Sequence, residues 1–375
     1  MPSRIHFQWN APSPSRNFAA GVSLHSHTLY SKEILDFIYP AARRAALLRA
    51  AIRAGERRYR QIHGAELDFS RAWWTPPLGA HQAWQLEKSQ IEALGLQAHV
   101  SLTDHDDIEA PVSLQVLEEC KGAPICVEWT VPFQKTFFHL GVHNLHPATA
   151  RSLFQEMDAF RRNPRERRLG EILAALSECP AVLTVFNHPL WDERGIGQQA
   201  HHAAVADFLA RFGSGLHALE LNGMRPWREN RAVIALAEAV GKPTISGGDR
   251  HIVEPNALLN LTHALSFAEF VEEIRAGFSD VLILRQYREP YALRILHNLL
   301  DALKTYDQHA NGWKQWSDRV FYQFDDGRFR SLTELFSAGA PALVAAFVTL
   351  ARFVSAPHFR RLLRGAIWRL EEIQL

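Results

Sequence analysis

Seven short apolar runs in this chain each lead into a histidine or a carboxylate. Residues 21–24 lead to His25 and His27, residues 98–102 to Asp104 and His105, and residues 123–127 to Glu128. Residues 137–138 lead to His139, residues 181–186 to His188, residues 218–219 to Glu220, and residues 244–246 to Asp249 and His251. Neutral imidazoles and carboxylates are the donors that borderline divalent metals prefer, so the chemistry implied is that of a multinuclear metal centre. His25 and His27 are one residue apart, and in extended chain that spacing turns both side chains to the same side. Asp249 and His251 repeat it just after Gly247 and Gly248, where the backbone can approach closely. In the stretch Asp104-His105-Asp106 a histidine can ligate while a neighbouring carboxylate orients it. Singly, each of these residues is more often a packing or capping group. Their order, always at the end of an apolar run, carries the reading.

Most of the runs are followed by a stretch with helical spacing, which predicts parallel βα units. A parallel barrel gathers the C-terminal ends of its strands on one face, so the polar residues would converge there. Helices are expected over residues 81–94, 148–162, 166–177, 201–212, 230–240, 267–278, 291–306 and 341–370, and one more strand over residues 281–284. About seventy residues separate the first two runs, far more than an ordinary connection. Residues 81–94 account for the crossover helix, and residues 31–77 read as an insertion. It holds an arginine-rich helical segment (residues 41–61) and a Trp73-Trp74-Thr-Pro-Pro corner. Leaving the first strand at its ligand-bearing end, it is either a lid or specificity element or a solvated outer helix. The expected division is a catalytic barrel over residues 1–280, insertion included, and a mostly helical extension over 281–375 packed on it.

Composition narrows the class. The chain has 375 residues, 47% hydrophobic and 22% charged, with a net charge of +1 and nineteen histidines. No global field points to nucleic acid or an anionic membrane. Cys120, Cys126 and Cys179 lack zinc-ribbon spacing, and the reading for Cys126 and Cys179 is small buried thiols. The N-terminus has no apolar core with a cleavage site, and the longest uncharged apolar stretch is too short to span a bilayer, so a cytoplasmic location is expected. Basic residues of the segment 358–370 surround an apolar face, a pattern more often buried on its own domain than laid on a membrane.

The pieces Leu24-His-Ser-His-Thr28, Leu102-Thr-Asp-His-Asp106, Val127-Glu128, Phe138-His-Leu-Gly141, Asn187-His-Pro189 and Gly247-Gly-Asp-Arg-His251 together resemble the polymerase-and-histidinol-phosphatase (PHP) domain family. They cover roughly residues 20 to 255. The resemblance implies a metal-dependent phosphoesterase on an α/β fold, a distorted seven-stranded TIM-like (β/α) barrel, here with a helical insertion after strand 1 and a helical C-terminal extension. It implies two or three divalent ions (zinc, manganese or iron). The first would be held by His25, His27, Glu128 and Asp249, the second by Glu128, His139 and His188, and the third by His105, His251 and one residue after the first motif. At that last position the chain carries Lys32, which cannot ligate because a protonated lysine has no lone pair. Three arrangements are open: Glu33 supplies the ligand, the third ion has fewer ligands, or the ammonium of Lys32 replaces it.

Asp104, Asp249 and His251 are candidates for proton transfer and Lys32 for charge stabilisation. Arg225, Arg228 and Arg250 are candidates for clamping a substrate phosphate. The expected partner is a small phosphorylated substrate such as a nucleotide or sugar phosphate. The alternatives are a phosphodiesterase or exonuclease on nucleic-acid ends, or a metal-binding barrel without turnover.

Overall fold

The structure, a computed structural model, describes residues 3–10, 13–35, 38, 46–307, 309, 311–336 and 342–354. The strands among them are β1 (Arg4–Phe7), β2 (Ala20–Ser23), β3 (Glu33–Ile34), β4 (Ala72–Trp74), β5 (Gln97–Val100), β6 (Ile125–Phe133) and β7 (Thr136–Leu145). Then follow β8 (Leu183–Asn187), β9 (Ala218–Asn222), β10 (Thr244–Gly247), β11 (Leu258–Thr262), β12 (Asp280–Ile283), β13 (Val320–Gln323) and β14 (Phe329–Ser331). The chain divides into two compact units: one formed by the chain up to Ser31 together with Leu78–Tyr291, the other by Lys32–Pro77 together with the chain from Ala292 onward.

The first unit carries two five-stranded sheets, in the orders β1-β12-β11-β2-β5 and β10-β9-β8-β7-β6. Its helices follow the expected places, among them Ala80–Glu92, Ala150–Arg162, Glu166–Glu178, Gln198–Phe212, Trp227–Ala239 and Phe267–Arg275. They bury one apolar stripe each, such as Leu169, Ile172, Leu173 and Leu176, on strands that are buried on both faces. The sheets meet through two isolated parallel bridges, His105 with Glu128 and Ser26 with Arg250. Among the described residues there are three sheets, and none of them closes into a barrel.

The run of parallel units is broken at β7 and again at β11, which runs antiparallel to β2 and β12. β7 runs antiparallel to both β6 and β8, because only Gln134 and Lys135 separate it from β6 and so short a connection can only make a hairpin. Gln134 takes φ 52°, as such a turn requires. His139 therefore lies early in a strand and Glu128 in the middle of one, not at run ends. Reversal still brings His139 to the correct face, opposite Thr130 on one side and Asn187 on the other.

The second unit is built on an antiparallel sheet of order β14-β13-β4-β3. The helix Ala46–His63 packs on the helix Ala342–Val354, and Tyr59, Ala72, Tyr322, Leu335 and Phe336 form a small core. The inserted segment and the C-terminal segment thus share one unit. Of the arginine-rich segment, Arg43 and Arg44 lie outside the described residues, as does the basic segment 358–370. Cys126 is buried as expected and Cys120 is buried as well, whereas Cys179 is exposed, because it closes the helix Glu166–Glu178 instead of entering β8. Among the described residues no helix is long and apolar enough to cross a membrane.

Candidate metal centre

Glu128 is the hub. It is fully buried in β6, and its Oε2 lies 2.9 Å from His25 Nε2, 3.2 Å from His27 Nε2 and 3.2 Å from His105 Nδ1. Its Oε1 lies 3.3 Å from His188 Nε2 and 3.6 Å from His139 Nδ1, and accepts from Asn187 Nδ2 at 2.9 Å. Asp249 Oδ1 is 3.6 Å from both His25 Nε2 and His27 Nε2. His251 stacks on His27 with centroids 4.1 Å apart, and His105 is tilted against it at 4.6 Å. The chain therefore brings His25, His27, His105, Glu128, His139, His188, Asp249 and His251 together.

The donor set fits divalent metal. Two groups wholly within the first unit, His25 with His27 and Glu128, and His105 with Glu128 and His139, place one ligand atom per residue within 4.8 Å of the others. His25 Nε2 and Glu128 Oε2 are buried and make no hydrogen bond, although they face one another. Two buried polar atoms left so are costly unless something between them is bound.

Neighbouring groups fix which nitrogen faces the centre. His25 Nδ1 donates to Glu220 Oε1 at 2.5 Å, leaving the Nε2 lone pair towards Glu128. His251 Nδ1 donates to the Asp249 carbonyl at 2.9 Å. Ser31 Oγ lies 3.1 Å from His27 Nδ1 and accepts the His105 N–H at the same distance. Glu220 also accepts the His188 N–H and a donation from Asn222 Nδ2.

The backbone is strained at the centre. His25 (φ 63°), His188 (φ 27°) and Asp249 (φ 53°) occupy left-handed conformations that residues with a Cβ seldom adopt. Gly247 and Gly248 make room for this: a Cβ on Gly247 would lie 1.5 Å from Glu220 Oε1, and one on Gly248 1.7 Å from Asn256. Both glycines are required by close approach.

Charge is concentrated here. Burial alone would push His25 down, but Glu128, Glu220 and Asp249 outweigh it and hold His25 well above its ordinary range. Burial would push Glu128 and Asp249 up; the surrounding imidazoles, His25 first, hold both well below the usual carboxylate range. His139 is driven well down by burial, with the neighbouring imidazoles adding to it.

The remaining candidates take different places. Asp104 is buried, and Thr28 takes both its oxygens, the N–H at 2.5 Å and Oγ1 at 2.7 Å, so it braces the first ligand turn. Arg250 is also buried; Nε lies 2.9 Å from Glu87 Oε1, and the guanidinium donates to the Ile252 and His27 carbonyls. That placement gives it to the loops and not to a substrate. Arg225 sits at the centre, 3.9 Å from Asp249 Oδ2 and with its guanidinium 3.6 Å above the ring of Trp191. Arg228 is exposed in the first turn of Trp227–Ala239. Lys32 and Glu33 belong to the second unit, where Lys32 Nζ lies 5.3 Å from the Trp73 ring and Glu33 pairs with Trp74. Asp107 caps the next helix through the Glu109 N–H, and Asp106 accepts from the Thr130 N–H.

Asn222, Glu193 and Glu87 were not singled out by sequence, and Asn187 entered only as part of the piece Asn187-His-Pro189. Glu193 reaches to 3.6 Å from His139 Nδ1. The one available signal was for Glu87, an acid on the apolar stripe Ala83, Trp84, Ile91 of its helix.

No protein-family profile matches the chain, and no curated protein matches it. Among solved structures, PsfC from Pseudomonas syringae PB-5123 is similar over 75% of this chain and 98% of its own, at 14% identity and a TM-score of 0.41. A "putative metal-dependent phosphoesterase" from Bifidobacterium adolescentis is similar over 54% and 92%, at 16% identity and 0.34. An amidohydrolase from Chromobacterium violaceum, with sulfate and no metal, is similar over 47% and 83%, at 16% identity and 0.30. Likenesses this distant transfer no activity to the chain.

Proposed function

We propose that this chain is a metal-dependent phosphoesterase that hydrolyses a small phosphomonoester at the Glu128 centre. The observation that carries the reading is the convergence of His25, His27, His105, His139 and His188 on the two oxygens of one buried carboxylate. In this reading β2 and β5 to β10, joined by the His105–Glu128 and Ser26–Arg250 bridges, form the distorted seven-stranded barrel. His25, His27 and Asp249 would hold one ion with Glu128, and His139 and His188 a second across the same carboxylate. When bound, such ions polarise a phosphoryl oxygen and lower the pKa of a water towards neutrality.

The chain's own residues do the rest. Glu220 keeps the proton of His25 on Nδ1 and so presents Nε2 as a donor. Asn187 holds Glu128 Oε1 in place. Arg225, flattened on Trp191, presents a planar cation beside Asp249, where it can pair with a phosphoryl oxygen and offset the charge that develops there. The mild net charge of +1 favours a small substrate over a long polyanion.

The test is hydrolysis by the manganese-loaded protein of a panel of nucleotide and sugar monophosphates, beside short single-stranded DNA at rising salt. Release of phosphate from a monoester, weakly dependent on salt, supports the reading. Activity confined to DNA ends and falling steeply with salt would replace it with an exonuclease, and no turnover of either would leave a binding module.

A further inference from the structure

Glu87 is fully buried on the inner face of the helix Ala80–Glu92, among Ala80, Ala83, Trp84 and Ile91. A carboxylate in such a place is costly unless it is paired and hydrogen-bonded. It accepts from Ser23 Oγ at 2.8 Å, Ser26 Oγ at 3.4 Å and the Asn256 N–H at 3.1 Å, and faces Arg250 Nε at 2.9 Å. Arg250 in turn donates Nη2 to the His27 carbonyl at 3.0 Å and Nη1 to the Ile252 carbonyl at 2.8 Å. Asn256 Nδ2 donates to Ser23 Oγ, the Leu24 carbonyl and Ser26 Oγ. These contacts run to two stretches of chain, residues 23–27 and 250–256, which carry or flank candidate ligands on both sides of the Ser26–Arg250 bridge. Within that bridge the His27 N–H donates to the Arg250 carbonyl at 2.8 Å and the Arg250 N–H to the His25 carbonyl at 3.3 Å.

His25, on the first stretch, and Asp249, immediately before the second, adjoin this bridge and are both left-handed. Left-handed backbone at a residue with a Cβ persists only where the surroundings over-determine it. From this juxtaposition we infer that Glu87 and Arg250 are positioning residues: a buried pair beneath the metal centre that clamps the His25–His27 turn to the Asp249–His251 turn, so that His25, His27 and Asp249 face one point. The inference rests on the metal reading of that centre. The pair reaches the reaction through the backbone of the ligands, so its loss shows in how well the ligands are held.

Two variants separate this role from plain support of the fold. Arg250→Lys keeps a cation for Glu87 but cannot fork to two carbonyls. The double variant Glu87→Met/Arg250→Met removes both charges, which in buried pairs is often tolerated by the fold where a single removal is not. Each is measured for melting temperature, for manganese affinity by titration of the metal-free full-length protein, and for the imidazole NMR resonances of His25 and His27 before metal is added. The expected result is manganese binding about ten- to a hundredfold weaker in both variants, the range typical when groups behind a metal ligand are lost. Arg250→Lys should melt near the wild type, with shifted His25 and His27 resonances. Wild-type affinity and unshifted imidazoles in Arg250→Lys would overturn the inference. If the wild-type protein itself takes up no manganese, the metal reading fails, and the imidazole resonances alone decide whether the pair positions those turns.

Discussion

The two sides of Glu128 are built in different ways. His25, His27 and Asp249 arrive on turns that follow β2 and β10, with left-handed backbone at His25 and Asp249 and buried side chains tying the turns together. His139 arrives inside β7, its backbone held in a regular ladder between Thr130 and Asn187. The first side spends conformational strain on both of its turns, whereas the second has it at His188 alone and takes the aim of His139 from hairpin register. A ladder tolerates the loss of a side chain, because its backbone bonds remain. Turns that depend on side-chain bonds do not, so damage there should spread from one ligand to its neighbours.

The variant with the largest expected effect removes what the two sides share. Glu128→Gln keeps the shape, and the acceptor for Asn187, but halves the donors and removes the charge; phosphate release should fall by at least about a thousandfold. A residual rate within tenfold of the wild type would mean that the two sides do not meet on this carboxylate. Next in size is Gly248→Ala, whose Cβ would collide with Asn256 on the turn side. It should cost about 1–3 kcal/mol of stability by overpacking and lower metal content with it. His139→Ala, on the ladder side, should lose one ion with little change in melting temperature; equal loss of stability in the two variants would erase the contrast drawn above.

Smaller effects follow at the edge of the site and behind it. Arg225→Ala should raise KM about tenfold, the value of one charge-assisted contact, and leave metal content unchanged. Behind the ladder, burial holds His143 down to about 3, its Nδ1 2.8 Å from Ser101 Oγ. Because its folded value is below the unfolded one, its contribution is complete above pH ~6.5 and is lost as pH falls from there towards 3. Unfolding free energy should drop across that window, by at most about 1.4 kcal/mol per pH unit from this group, melting temperature should fall with it, and His143→Gln should flatten the slope. An unchanged slope in the variant would place the acid sensitivity in other groups.

Much of the centre was legible in the sequence because its parts are chemically conspicuous. His25, His27, His105, Glu128, His139, His188, Asp249 and His251 are donors set against apolar runs, and their spacing is local. The reversed direction of β7 was not legible, since an apolar run reads the same in either direction and only the two-residue link to β6 betrays it. β1 and β11 escaped notice because no ligand follows them. The association of residues 32–77 with the C-terminal segment depends on contacts between distant parts of the chain, such as Tyr59 with Tyr322, for which composition holds no signal. Arg250 looked like a phosphate clamp from its neighbours in sequence; Glu87, far away on a helix, claims it instead.

The most direct test of the central claim is metal content per chain, by plasma mass spectrometry on untagged protein prepared without chelator. The account predicts about two equivalents of a transition metal in the wild-type chain, close to none in Glu128→Gln, and about one in His139→Ala. A wild-type chain that holds no transition metal, even after reloading with manganese or zinc, would contradict it.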